Sequence, residues 1–363
     1  MRQTRCVQVS ARIRPPIMLL KYFGSSLLFS AVCLILAVVA GAFYGGPVTA
    51  LAYFISCLTL GILETAVSLD NAVVNAKYLQ HMNERSRRWF ITWGMVIAVF
   101  GMRLVFPVLI VCLAAWTDPV SAVRMALFQP DEYAYHMEES HHEVMAFGAA
   151  FLLMVAIDFF FDPRKKIHWI PGLEHIAALI GRFPQAEVLI ATPLILLAAL
   201  LAPTENREIL LSGFGGMLSF YLVHGVKDLL EELDEGMKQA VPDAGRLMVG
   251  SLLFLEVLDA SFSFDGVVSA FAITNNFILI ALGLGIGAMF VRSMTIYLVD
   301  RNTMSKLRFI EHGAFFGIAW LVAAMTLSLY GVALGEVIVA GVAATIIVIS
   351  VIHSLFHRSQ VEG

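Results

Sequence analysis

Ten runs of apolar residues constrain this chain more than any other feature. They cover residues 19–43, 48–72, 90–116, 144–162, 187–202, 207–227, 247–272, 276–299, 312–330 and 332–356. A helix needs about 20 apolar residues to cross lipid hydrocarbon. In lipid only helices and closed barrels satisfy their own backbone. The expected fold is therefore all-α, a polytopic transmembrane helical bundle of about ten spans. Charged residues make up 14% of the chain, against about a quarter in an ordinary soluble domain. The fifth run, at 16 residues, is the shortest.

Lys and Arg in short loops set the orientation. Arg2, Arg5, Arg12, Arg14 and Lys21 open the chain. The later basic connectors carry Lys77, Arg85, Arg87 and Arg88, then Arg164, Lys165, Lys166 and Arg182, then Lys227, Lys238 and Arg246, then Arg301, Lys306 and Arg308. The loops between them hold only Arg124 and Arg207. Every second loop is basic, which puts both termini in the cytoplasm of a cell whose inner (plasma) membrane holds the chain. Residues 1–18 read as a cytoplasmic segment, 19–356 as the transmembrane domain with halves at about 19–202 and 207–356, and 357–363 as a cytoplasmic tail. Met18 is an alternative start, and a signal peptide ending near Ala42 is a second alternative.

Composition excludes several classes. There is no basic stripe with interleaved aromatics, so nucleic acid is not expected as a partner. Cys6, Cys33, Cys57 and Cys112 lack the spacing of a disulfide framework or zinc site. No Gly-x-Ser-x-Gly, His-Glu-x-x-His or Walker sequence is present, so neither enzyme nor ATPase is expected.

Acids interrupt the apolar runs in two similar places. One reads Glu64-Thr-Ala-Val-Ser68-Leu-Asp70-Asn71, with Asn75 following; the other reads Asp259-Ala-Ser-Phe-Ser263-Phe-Asp265-Gly266. A carboxylate at mid-bilayer costs roughly 2.5–3.5 kcal/mol even on the lenient insertion scale, so it normally faces a cavity, a partner or an ion. After each copy comes a Gly, eight residues and an Arg, ending at Arg103 and at Arg292. Span 2 thus matches span 7 and span 3 matches span 8. An offset of five spans reverses the orientation, giving an inverted-topology repeat of the kind that builds alternating-access carriers.

Glu64, Ser68, Asn71 and Asn75 share one helical face, as do Glu256, Asp259 and Ser263. Asp70 and Asp265 fall about 120° from their upstream acids on an ideal helix. They reach the same cavity if the helix unwinds near Ser-x-Asp, or else they face another helix. The donors are all oxygen, which suits a hard divalent cation. Surplus carboxylates would be balanced by Arg103 and Arg292 or by protons. The competing reading is a set of buried salt bridges that fix helix packing.

The two acidic motifs, with Asp158-Phe-Phe-Phe-Asp162 and Lys165-Lys166-x-His168-Trp169, resemble TerC-type integral membrane proteins of the LysE-type transporter superfamily over about residues 48–350. That resemblance implies a secondary transporter, with manganese efflux coupled to proton entry as the expected activity and tellurium resistance as the family's namesake trait. It implies an ion site of Glu64, Asp70, Asn71, Asp259 and Asp265, to which the helical stripe adds Glu256, with Ser68, Ser263 and Asp158 as helpers. Gly266 departs from the Ser expected after the second Asp. The expected partners are the bilayer, a divalent metal ion and protons, with no resident cofactor; no oligomeric state follows. A scaffold docking a stress-response complex through the acidic 228–246 loop is the alternative. Outside the motifs, His136–Glu143 read as a solvated acidic loop, and His168 and His175 as surface groups.

Overall fold

The computed structural model describes residues 15–82, 84–94, 97, 101, 105, 108–109, 111–112, 115–183, 185–203, 206–238, 255–257, 270, 274, 276–301, 307–332 and 334–362. Every described element is a helix. Six are long and apolar enough to cross a membrane: Leu20–Ala66, His141–Phe160, Asn206–Val226, Phe277–Asp300, Ile310–Ser328 and Ile338–His357. The chain is thus a polytopic helical bundle. About half of the 90–116 run and most of the 247–272 run lie outside the described residues.

The first segment, α1 (Pro15–Val67), breaks at Gly46, whose φ of 76° and ψ of −163° lie where only glycine is at ease. Pro47 follows and cannot continue the helix before it. The chain then doubles back, since a Cβ at Gly41 would overlap the backbone of Thr49 and Ala50. On a straight helix residues nine apart would stand about 13 Å apart. The apolar runs 19–43 and 48–72 are the two arms of this hairpin. Cys33 and Ala37 on one arm meet Cys57 on the other, closed over by Leu279 and Ile286 of α10 (Phe277–Asp300).

α10 lies in the hairpin at backbone-contact distance. Gly283 faces Leu60 and the Cys57 carbonyl, Gly61 faces Ile286, and Gly287 faces Glu64. Small residues four apart permit that approach in lipid, where packing must replace the hydrophobic effect. Ser26 Oγ and Ser293 Oγ, 2.6 Å apart, tie the outgoing arm to the same helix.

α2 (Leu69–His81) continues the return arm and is enclosed by α10, α11 (Ile310–Ser328) and α12 (Glu336–Glu362). A short α3 (Glu84–Trp89) leads into a π-helical turn, Phe90–Gly94. The 117–143 connector, which reads as loop in the sequence, forms α4 (Pro119–Phe128) and α5 (Pro130–Glu139). Each has Pro in its first turn, where the missing N–H costs nothing, and Asp118 caps α4 by accepting from the N–H groups of Val120 and Ser121. α6 (His141–Phe160) packs on α11 and on α9 (Asn206–Lys238), with Phe159 and Phe315 stacked at 3.8 Å. α7 (Pro171–Ile180) and α8 (Ala186–Leu201) complete the order.

Inter-element bonds sort the connectors to two ends. At one end Lys77 pairs with Glu311, His312 meets the Ile167 carbonyl, Trp169 donates to His353 and Arg308 bonds His357. At the other end Asn276 donates to Tyr53, His141 meets Ser328 and Tyr330 donates to the Ala198 carbonyl. The basic connector 161–170 shares the first end with Arg301 and Arg308. The 20 residues of α6 run from one end to the other, about 30 Å of helix and the thickness of a hydrocarbon core.

Candidate functional site

The helix is interrupted at Ser68, whose ψ of 20° departs from helical geometry. The interruption is one residue long. Ser68 N–H still donates to Glu64 O and Ala72 N–H to Ser68 O, so the ladder is carried across the break. Ser68 Oγ donates to Glu64 Oε1 at 3.0 Å, and Asn71 N–H donates to Asp70 Oδ1 at 3.0 Å. Glu64, Ser68, Asp70, Asn71 and Asn75 are all buried, with Glu64 at 4% exposure and Asp70 at 3%. Among the described residues Asn71 Oδ1 has no hydrogen-bond partner. A buried carbonyl oxygen left so costs about 1–3 kcal/mol, unless something else occupies it.

Of the two arrangements open to Asp70, the structure has it facing another helix. Glu64 lies against Gly287 of α10, whereas Asp70 lies against Gly317 of α11 and near Ala343 of α12. The two acids therefore sit at neighbouring interfaces of one helix. Glu256, from the second acidic segment, is half-buried, and its Oε1 would be 3.0 Å from a Cβ at Gly94. Arg292 Nε donates to the Ile91 carbonyl at 2.9 Å, within the π-helical turn. Among the described residues the Arg292 partner is this carbonyl and not a carboxylate. Arg103, Asp259, Ser263, Asp265 and Gly266 lie outside the described residues, as do residues 239–246. Among the described residues no group of three or more His, Cys, Asp and Glu stands close enough to hold a metal ion.

A second polar region lies at the basic end. Glu174 of α7 is 1% exposed. Its Oε1 accepts from the N–H groups of Trp169 and Ile170, both at 2.9 Å. Its Oε2 is 2.7 Å from Lys165 Nζ, 3.3 Å from His312 Nε2 and 3.6 Å from His168 Nδ1. Burial alone would raise the Glu174 carboxyl; the Lys165 ammonium and the Ile170 N–H outweigh it and hold it below the usual carboxylate range. The expectation that His168 is a surface group is corrected here: it belongs to this buried cluster, and only His175 is exposed. Glu174 and His312 carry no local sequence signal, since one sits in a short helix and the other opens an apolar run 138 residues later.

Asp158, at the end of α6, lines a cavity of about 610 Å³ with Lys77, Asp162, Lys165, Glu187 and Glu311. Its polar walls distinguish it from the crevices that α1 and α8 present with almost wholly apolar lining.

No curated protein and no solved structure matches the chain. One family model matches residues 69–361, a stretch that opens at the Ser68 break and takes in Asp70, Asn71, both arginines and the whole second acidic segment. The chain belongs to that family, described as a protein of unknown function, DUF475.

Proposed function

We propose that the chain is a secondary transporter of a divalent metal cation, with manganese efflux coupled to proton entry as its activity. The observation that carries this reading is the Ser68 break. It sets two buried carboxylates and the unpartnered Asn71 Oδ1 on a helix enclosed by three others. A purely structural salt-bridge network would pair these acids with cations; among the described residues no Lys or Arg pairs with Asp70. Oxygen donors alone suit Mn²⁺ better than copper or zinc, and the resemblance to TerC-type proteins points the same way. In this reading Asp259 and Asp265 complete the ion site, and protons exchange for metal on carboxylates that cannot all ionise together.

Two contacts support the inverted repeat. The acidic motifs align Gly61 with Glu256, and the Gly-x8-Arg motifs align Gly94 with Gly283. Gly61 packs on the Gly283 carbonyl, and Glu256 packs on Gly94. Span 2 thus touches span 8 where span 7 touches span 3, as an axis in the membrane plane requires. Ten spans with both termini in the cytoplasm follow from that reading.

Purified protein in Mn²⁺-loaded vesicles tests it. Imposed proton entry is expected to release Mn²⁺, and Asp70→Asn and Asp265→Asn are each expected to abolish release. A wild-type protein that moves no divalent ion under either gradient direction overturns transport. Full release by both variants removes these residues from the site.

A further inference from the structure

α7 is amphipathic the wrong way round for a helix in water. Its one acid, Glu174, is buried against Lys165, His168 and His312. Its apolar side chains are on the outside: Leu173, Ile176 and Leu179 are each more than half exposed, and Ile180 is exposed beside them. With 3.6 residues per turn these four lie on the side away from Glu174. Ile170 before the helix and Phe183 after it extend the exposed apolar face. Both ends of the helix are tied to the bundle. Trp169 and Ile170 donate their N–H groups to Glu174 Oε1, and a Cβ at Gly181 would overlap the Phe161 carbonyl just past the end of α6. The apolar face is therefore held outward, at the basic end of the bundle.

Charge, length and extent agree on what covers it. Glu174 is the sole acid in the stretch 163–185, and the exposed Lys and Arg residues there are Arg164, Lys166 and Arg182. Arg164 engages Asp162, while Lys166 and Arg182 flank the apolar face in the chain. α8 runs from the basic end, where Glu187 lines a cavity with Lys77, toward the other end, where the Ala198 carbonyl accepts from Tyr330. Its 16 residues make about 24 Å of helix, about 6 Å short of a hydrocarbon core. α7 leads directly into the 181–185 turn that opens α8. A turn set about 5–10 Å below the headgroups makes up the difference. A second protein fits less well, since six side chains over about 15 Å of helix are few beside the roughly 20–30 residues a side of a stable interface. We infer that α7 is an interfacial helix: its outer face lies between headgroups and acyl chains in the leaflet at the basic end, and Lys166 and Arg182 take the phosphates of anionic phospholipids there. Arg182 reaches the phosphates from the submerged turn along its own apolar stem. Folding Glu174 inward onto Lys165 keeps the lipid side of the helix free of carboxylate. The inference needs the bundle to cross a membrane and is independent of any transported ion.

A nitroxide on Ile176→Cys, in the full chain carrying Cys6→Ser and Cys112→Ser, tests the placement. In vesicles containing phosphatidylglycerol its EPR saturation is expected to respond more to oxygen than to a water-soluble nickel chelate, at a depth of about 5–10 Å below the phosphates. The same label on Arg164→Cys is expected to show the reverse order. Leu179→Cys repeats the measurement if the Ile176 variant does not fold. Nickel-dominated relaxation at Ile176 overturns the inference in favour of water. Low access to both reagents overturns it in favour of a protein cover, and spin–spin broadening that vanishes on dilution with unlabelled protein identifies that cover as a second copy. Thermal shift of the protein in detergent with added short-chain phosphatidylglycerol, read as apparent affinity, tests the headgroup contact. Lys166→Gln with Arg182→Gln is expected to weaken phosphatidylglycerol at least about fivefold and to leave phosphatidylcholine unchanged. The same charge change at the other end, Arg124→Gln with Arg207→Gln, is expected to leave both lipids unchanged. Equal phosphatidylglycerol affinity in wild type and the Lys166–Arg182 variant, or an equal loss in the two double variants, overturns the phosphate contact.

Discussion

Burial gives individual residues their weight in this chain, and Glu174 shows it most sharply. Its carboxylate satisfies two backbone N–H groups with one oxygen and faces Lys165 and two histidines with the other. Replacement by Gln keeps an acceptor for Trp169 and Ile170 but strands the Lys165 ammonium, which is 9% exposed. Breaking such a pair from one side costs about 3 kcal/mol, so Glu174→Gln is expected to lower the melting temperature in detergent measurably at pH 7. The pH dependence has a definite sign. A carboxyl held below its unfolded value binds its proton less readily when folded, so its contribution is full at neutral pH and is lost as pH falls through the folded value. Wild type is therefore expected to lose its advantage over Glu174→Gln on acidification below about pH 5, and two melting-temperature profiles that stay parallel down to about pH 3 would show Glu174 to be neutral in the fold. The sequence displays Glu64, Asp70 and Asn71 because charge is conspicuous in an apolar run. It hides Glu174, since a Glu in a basic connector looks solvated until His312 is brought to it.

At the scale of elements, the hairpin of α1 is legible in Gly45-Gly46-Pro47, and the close seating of α10 is half legible. The sequence supplies Gly283, Gly285 and Gly287 as a pattern but does not say which glycine is under a neighbour. Packing decides that, and it separates two otherwise equal substitutions. A Cβ on Gly287 would overlap the Glu64 side chain and approach its backbone carbon to 3.1 Å. A Cβ on Gly285 would meet only the Phe29 ring at 3.5 Å, an ordinary contact. Overpacking costs about 1–3 kcal/mol, whereas relieving a helical glycine of its entropy returns about 1 kcal/mol. Gly287→Ala is expected to be destabilised and to perturb Glu64, while Gly285→Ala is expected to be neutral or more stable. Equal melting temperatures for the two would mean that α10 is not seated on α1 at that register. The interruption at Ser68 was legible only as a choice between an unwound helix and a second partner helix, because a period of 3.6 residues places Asp70 off the Glu64 stripe without saying how the chain resolves it.

At the scale of the whole molecule, the alternation of basic and nonbasic connectors is a statement about charge, and the sorting of connectors to two ends is a statement about contacts. The two agree. Lys77, Lys165, Arg301 and Arg308 meet their partners at one end, and Tyr53, His141, Ala198 and Tyr330 meet theirs at the other. The sequence makes this legible because the positive-inside bias acts on composition. The depth relation of the two acidic copies is less legible, since it depends on how span 7 packs. If the bundle crosses the membrane between these ends, Arg164 and Gln129, both exposed, stand on opposite sides of it. Arg164→Cys is expected to react with a membrane-impermeant maleimide only in inside-out vesicles, and Gln129→Cys only in intact cells or spheroplasts. Cys33 and Cys57 are buried, and Cys6 and Cys112 are changed to Ser in both variants to remove their background. Labelling of both positions from one side would break the assignment of ends to membrane faces. The reverse pattern would keep the two ends but exchange the membrane faces they meet.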